Sequence, residues 1–346
     1  MDPSSAARSD LDLVPLSILD LALVPSGRTS TEALADTAVL ARRADELGYL
    51  RFWVAEHHNM DTVASTTPSV LLAHLGAQTK RIKLGSGGVM LPNHAPLAIA
   101  EQFALLEALY PGRVDLGIGR APGTDQSTAV ALRRGVREVE EDFPRNLLEV
   151  MGLLGDVRTE HGLWEQFRAT PAATSYPSIF LLGSSGFSPQ LAGMLGIPFV
   201  FANHFDMGGT EHAVAIYRDH FQPSVLLDEP YTMVSATVIA ADSEEEADYL
   251  SGPQRLRKFG MRTGHLLPLL SPGEAAAHPQ ISVARQMPSN TIIGTATTVV
   301  DGLRQLASTM GAAELILSCA THGLDHRLRT IEMVAEAWAL ATSPVA

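Results

Sequence analysis

The chain has 346 residues, 46% hydrophobic and 18% charged, which is enough for a large core in one large domain or two ordinary ones and unlike a disordered chain. Its 25 Lys and Arg against 38 Asp and Glu give a formal charge of -13, which argues against nucleic acid as a partner. A single cysteine, Cys319, excludes an intrachain disulfide and a cysteine-rich metal site; with no signal-peptide pattern over Met1 to Asp12 and no run of about 18 apolar residues, a cytoplasmic protein without a membrane span is expected.

Residues 1–15 are expected to form a flexible N-terminal arm ahead of a single domain over 16–346. Apolar strand-like runs follow at Leu16–Leu23, Arg51–Ala55, Ile82–Met90, Arg113–Ile118, Ile179–Leu182, Pro198–Phe201, Thr232–Ala240 and Glu314–Ser318. Helix-length segments separate most of them. In the first of these, Thr31–Leu47, the residues Ala33, Thr37, Leu40, Ala44 and Leu47 keep helical spacing behind a Thr29-x-x-Glu32 capping box and before Gly48. Continuous apolar strands alternating with amphipathic helices predict a parallel sheet covered by helices, and eight strands favour closure into a (β/α)8 TIM barrel of the α/β class over an open doubly wound sheet. Val24-Pro25-Ser26-Gly27, after the first strand, lacks the G-x-G-x-x-G that a dinucleotide-binding fold would carry there. Two stretches break the short-loop rhythm, near 155–177 and 252–290, and are expected as insertions at the C-terminal mouth.

On such a barrel the residues just after each strand share the C-terminal face, where barrel enzymes place their chemistry. Phe52-Trp53-Val54-Ala55 ends in Glu56-His57-His58, three ionisable groups that cannot continue inward without a heavy desolvation cost. They read as an active-site rim or as a turn cap with solvated histidines. Asn93, His94, Arg120, Ser184, Ser185, His204 and His322 follow other strands. Gly183-Ser184-Ser185-Gly186-Phe187-Ser188 enters a helix, so its backbone N–H groups suit an anion such as phosphate, or Ser185 or Ser188 caps the helix. Arg120 suits a phosphate or a structural ion pair; Gly294-Thr295-Ala296-Thr297-Thr298 is a competing phosphate seat that reads as a helix cap. Gly85, Gly87 and Gly88 within one strand fit a planar ring lying flat against it, or a bulge at a barrel corner. Met90, Leu91, Phe201, Phe205 and Met207 suggest an apolar pocket at the mouth, or core.

Taken together, Phe52-Trp53-Val54-Ala55-Glu56-His57-His58, Gly85 to Pro96, Pro111 to Arg120 and Leu182-Gly183-Ser184-Ser185 resemble the bacterial luciferase-like flavin monooxygenases, most closely a branch containing oxygenases of polyketide tailoring. The resemblance implies a (β/α)8 barrel with FMN at its C-terminal mouth, reduced flavin (FMNH2) supplied by a separate reductase, O2 activated at flavin C4a, a small organic, natural-product-like substrate, and a homodimer. It makes His57 the catalytic histidine and Glu56 its neighbouring carboxylate, which would orient it or hold its charge. Gly87-Gly88 falls on the family's non-prolyl cis peptide beneath the flavin, Arg120 on a flavin-contacting arginine, and Gly183, Ser184, Ser185, Gly186 and Ser188 on the phosphate loop, with Arg133 or Arg134 as a second phosphate ligand. Gly119 stands where the luciferase has a reactive cysteine and Ser184 where it has an acidic residue, so light emission is not implied. The rival readings are a hydride-transfer enzyme using deazaflavin F420, a non-catalytic flavin-binding protein, and a metal-dependent hydrolase using His57, His204 and His322; no metal is expected.

Overall fold

The computed structural model describes residues 14–340 apart from 122, 133–141 and 204–208. The expected N-terminal arm therefore lies outside the described residues except for Val14 and Pro15. The strands are β1 (Leu16–Asp20), β2 (Arg51–Val54), β3 (Lys83–Met90), β4 (Val114–Gly119), β5 (Ser178–Gly183), β6 (Phe199–Phe201), β7 (Thr232–Ala240), β8 (Ile292–Gly294) and β9 (Glu314–Ser318). All pair in parallel. Neighbours pair in chain order from β1 to β6, then β6 with β7, β7 with β9 and β9 with β1, which closes a barrel of eight strands. These eight are the ones expected from the sequence. β8 is an addition outside the ring, pairing Ile292, Ile293 and Gly294 with Val238, Ile239 and Ala240 at the far end of β7.

The helices are α1 (Ser30–Leu47), α2 (Pro68–Gly76), α3 (Pro96–Leu109), α4 (Gln126–Leu132), α5 (Phe143–Leu153), α6 (Phe187–Leu195), α7 (Thr210–His220), α8 (Glu244–Thr263), α9 (Pro272–Ala276), α10 (Ile281–Gln286), α11 (Ala296–Met310) and α12 (Leu324–Trp338). α1 shows how the local code works. Thr29 and Glu32 form the capping box, Ala33, Thr37, Leu40 and Ala44 face the strands, and Gly48 ends the helix at φ 86°.

Apolar side chains fill both layers. One set lies between strands and helices, and a smaller one, Leu19, Trp53, Phe180, Val200, Met233 and Ile316, fills the barrel axis. The axis also holds a buried charge cluster. Arg51 donates through Nη1 to both oxygens of Asp115 at 3.0 Å and through Nε to Glu314 at 2.9 and 3.0 Å. Trp53 Nε1 donates to Asp115 at 3.0 Å, while the hydroxyls of Ser17 and Tyr231 donate to Glu314. Burial pushes both carboxyls above their usual range against the pull of Arg51.

The second expected insertion is at the mouth. It leaves β7 as α8, continues through α9 and α10, and returns at β8, lying over the C-terminal ends of the strands. Pro253, within this stretch, is accommodated inside α8. The first insertion is not at the mouth. Residues 154–177 connect the end of α5 to the start of β5, and a helix-to-strand connection belongs to the N-terminal end of the barrel. There they border a cavity of about 370 Å³ that they share with Arg51, Lys83 and Ser178 at the strand starts.

Candidate active site

Glu56 is 1% exposed, and its carboxylate accepts hydrogen bonds from His58 Nε2 at 2.9 Å, His94 Nε2 at 2.8 Å and the Met90 backbone N–H at 3.1 Å. Burial works to raise its pKa, but the bonds from His94, His58 and Met90 outweigh it and hold the group below its usual value. The expectation that Glu56 orients His57 is corrected here. Successive side chains of an extended segment point to opposite sides, so Glu56 meets His58 while His57 faces away. His57 instead places Nδ1 3.2 Å from the Gly123 carbonyl, and its backbone N–H donates to Ser65 O at 3.1 Å. A carbonyl only accepts, so Nδ1 carries the proton and the Nε2 lone pair is left for another partner. Burial and, secondarily, the charge of Arg257 outweigh the Gly123 bond and lower the His57 pKa, favouring the neutral base.

Glu56, His58 and His94 are also the one carboxylate–imidazole set, among the described residues, whose ligand atoms are close enough to share a metal ion. The trio of the hydrolase reading is not assembled there: His57 is outside the set, His322 has Nε2 near Ser26 O at 3.4 Å, and His204 lies outside the described residues.

The Gly87–Gly88 peptide is cis, as the resemblance implied. The β3–β4 register shifts between Ser86 and Val89, so the bulge is present. Barrel packing accounts for the glycines at this point. A Cβ on Gly85 would lie 2.2 Å from Trp53 Nε1, one on Gly87 2.6 Å from Leu19 Cδ1, and one on Gly88 2.9 Å from Gly117 O.

Arg120 leaves β4 with its guanidinium 4.6 Å from the centre of the Phe187 ring, and Phe187 opens α6. This brings Arg120 beside the expected phosphate loop. No carboxylate among the described residues pairs with it. Ser184, Ser185 and Gly186 are exposed, and the helix begins at Gly186 with no side-chain cap, so the expected capping by Ser185 or Ser188 is not what is found. Ser188 is buried beneath the loop rather than open on it, and Gly183 is small because a Cβ there would lie 2.5 Å from Ser188 Cβ. The rival seat is a cap, as read from the sequence. Thr295 caps α11, and the Glu244 carboxylate already accepts from Thr295 N at 3.1 Å and Thr298 Oγ1 at 2.6 Å, where an external anion would have to bind. Arg133, Arg134, Phe205 and Met207 lie outside the described residues.

A cavity of about 540 Å³ opens at the mouth over the ends of β1, β7 and β9, roofed by α8 and residues 264–269. Its apolar wall is made by residues that the sequence did not mark, among them Leu21, Leu23, Met60, Val63 and Leu269; Leu91 and Phe201 are buried in the core instead. Of the expected site residues, His57 lines it. Through Gly123, His57 also touches the segment that follows Arg120, so the two residues stand on one rim.

A family model described as luciferase-like monooxygenase matches residues 14–313. A luciferase-like monooxygenase of Escherichia coli (strain K12) is 40% identical over 324 residues, 92% of this chain and 96% of its own length. The N-acetyl-S-alkylcysteine monooxygenase of Bacillus subtilis (strain 168) is 41% identical over 239 residues, covering 68% of this chain and 70% of its own. Among solved structures, apo-MsnO8 superposes with a TM-score of 0.88 at 34% identity, covering 95% of this chain and 99% of that one.

Proposed function

The chain belongs to the luciferase-like monooxygenase family, and from that premise we propose that it oxygenates a small organic substrate with O2 and reduced FMN delivered by a separate flavin reductase. One observation carries the choice of cofactor: the uncapped start of α6, with exposed Ser184 and Ser185 and an Arg120 that no carboxylate among the described residues neutralises. Backbone N–H groups at a helix start together with a guanidinium fit a phosphate monoester.

When bound, reduced flavin supplies the electron pair that activates dioxygen. Arg120, Ser184, Ser185 and Gly186 bind the phosphate, and the Gly87–Gly88 backbone offers a surface without side chains for the ring. His57 accepts a proton at Nε2, because Nδ1 is committed to Gly123 and burial keeps the ring neutral. Glu56 positions rather than reacts: it fixes His58, His94 and the Met90 backbone next to the β3 bend.

The relative acting on N-acetyl-S-alkylcysteine supports a compact organic substrate. Exposed Val70 on α2 and exposed Leu105 and Leu109 on α3 support a homodimer joined through these helices. Among the described residues no helix is long and apolar enough to cross a membrane, and the single thiol is compatible with action in the cytoplasm.

The test is titration with FMN, FMNH2 and F420, followed by mixing the reduced complex with oxygen. Preferential FMNH2 binding and oxygen-dependent product formation are expected; tighter binding of F420, or flavin binding without product across a substrate panel, would overturn the proposal. His57→Ala is expected to keep FMN affinity and lose about 100- to 10,000-fold in turnover.

A further inference from the structure

The roofed cavity carries more positive charge than its own carboxylates balance. Asp20 is committed to Arg327 at 2.6 Å and to Thr37 at 2.6 Å, and Asp36 is paired with Arg28 at 3.1 Å. Arg257 and Lys258 line the same space from α8. Among the described residues, Arg257 has one polar partner, the Leu267 carbonyl at 3.2 Å, and Lys258 bonds Asn290 Oδ1 at 2.7 Å; neither meets a carboxylate. Burial lowers the pKa of both, that of Lys258 to about 8 with Arg262 and Arg255 adding to the effect, so an anion delivered to this wall would be strongly held.

A second observation points the same way. Gln254 and Thr321 line the cavity, are 6% and 1% exposed, and keep Gln254 Oε1 and Thr321 Oγ1 without a hydrogen-bond partner among the described residues. Gln254 Nε2 is used on Thr291 Oγ1 at 3.1 Å, so the free atom is the carbonyl oxygen, which requires a donor. Gln254 and Arg257 are three residues apart on α8 and therefore neighbours on one helix face. Gln254 Oε1 itself has almost no accessible surface, so it meets a ligand donor once the amide turns toward the cavity; a ligand that satisfies both then places an N–H or O–H within a few bonds of its negative charge. The rest of the wall, including Leu21, Leu23, Met60 and Val63, is apolar.

We propose that this cavity is the substrate site and selects an amphipathic carboxylate: an apolar body ending in a carboxylate held by Arg257 and Lys258, with an adjacent hydrogen-bond donor, as in an N-acylated amino acid, taken by Gln254. The assignment rests on the monooxygenase reading above, since it places the substrate against His57. The other anion available to these cations is the flavin phosphate.

The probes are N-acetyl-S-benzylcysteine and its methyl ester, with FMN titrated in parallel on the full chain and on Arg257→Gln and Arg257→Lys. The wild type is expected to bind the acid at least about tenfold tighter than the ester. Arg257→Gln should weaken the acid by about 10- to 100-fold, the range for a charge-assisted hydrogen bond, while leaving the ester and FMN within about twofold; Arg257→Lys should recover part of the loss. The proposal fails if the acid does not bind, if acid and ester bind alike, or if Arg257→Gln weakens FMN as much as the acid. If the wild type binds no flavin yet keeps its Arg257-dependent preference for the acid, the carboxylate site stands and the flavin reading falls.

Discussion

Replacing Arg51 by Met removes the cation that is paired with both Asp115 and Glu314 inside the barrel while retaining an apolar stem of similar length. Two carboxyls with essentially no exposure are then left, among the described residues, with Trp53, Ser17 and Tyr231 as donors. Breaking a buried pair of this kind costs about 3–5 kcal/mol. Against a typical total stability of about 5–15 kcal/mol, the variant should fold but be visibly weakened. The penalty should also depend on pH. Burial already raises both carboxyl pKa values, and without Arg51 they rise further. A carboxyl raised in the folded state gives its full stability below its unfolded pKa near 4 and loses it as pH climbs toward the folded value, at about 1.4 kcal/mol per pH unit per group. Urea unfolding of both proteins at pH 5 and pH 7 reads this directly. The difference between wild type and variant should exceed about 3 kcal/mol at pH 7 and shrink by more than about 1 kcal/mol at pH 5. A penalty that is the same at both pH values, or below about 1 kcal/mol at pH 7, refutes the account of the cluster.

Arg120→Gln should weaken FMN by about tenfold or more but leave riboflavin, which lacks the phosphate, unchanged, as read by flavin fluorescence. Thr295→Ala should cost about 1 kcal/mol of stability through the lost α11 cap and leave FMN affinity alone, because Glu244 occupies that helix start. Gly85→Ala should destabilise at or above the upper end of the usual 1–3 kcal/mol, roughly, for overpacking, since its Cβ would lie 2.2 Å from Trp53 Nε1; an unchanged melting temperature would show that Trp53 relocates freely. The acid limb of the kcat/KM profile should lie below the ordinary histidine value of about 6.5, because turnover needs neutral His57 and its pKa is lowered; a limb above 7 would exclude it as the base.

The ring of strands is legible in the sequence because parallel strands covered on both faces read as continuous apolar runs, whereas β8 is two partly exposed isoleucines and a buried glycine that pair with one strand and leave no such run. The exposed Ser184-Ser185-Gly186 turn, expected as the phosphate loop, and Arg120 are likewise local signals at strand ends. What the chain does not advertise is direction and distance. Glu56 next to His57 invites a pair, yet alternation hands the carboxylate to His58, and the second imidazole, His94, arrives from the next strand 38 positions away. Arg51 reads as the polar start of an apolar run; only closure of the barrel shows that it points inward, to β4 and β9. The Pro-rich stretch after β7 reads as a long loop, and its role as the cationic roof depends on α8 running across the mouth.

The extra strand β8 gives that roof an unusual footing. The chain departs from β7 after Ala240 and comes back at Ile292 hydrogen-bonded to the same strand, so the intervening fifty or so residues begin and end at adjacent points of the sheet. For a segment with its ends already pinned side by side, each doubling of length costs only about 0.6 kcal/mol in closure entropy. Residues between these anchors can thus be lengthened, shortened or exchanged as a cassette, resculpting what the barrel admits while its staves stay in register.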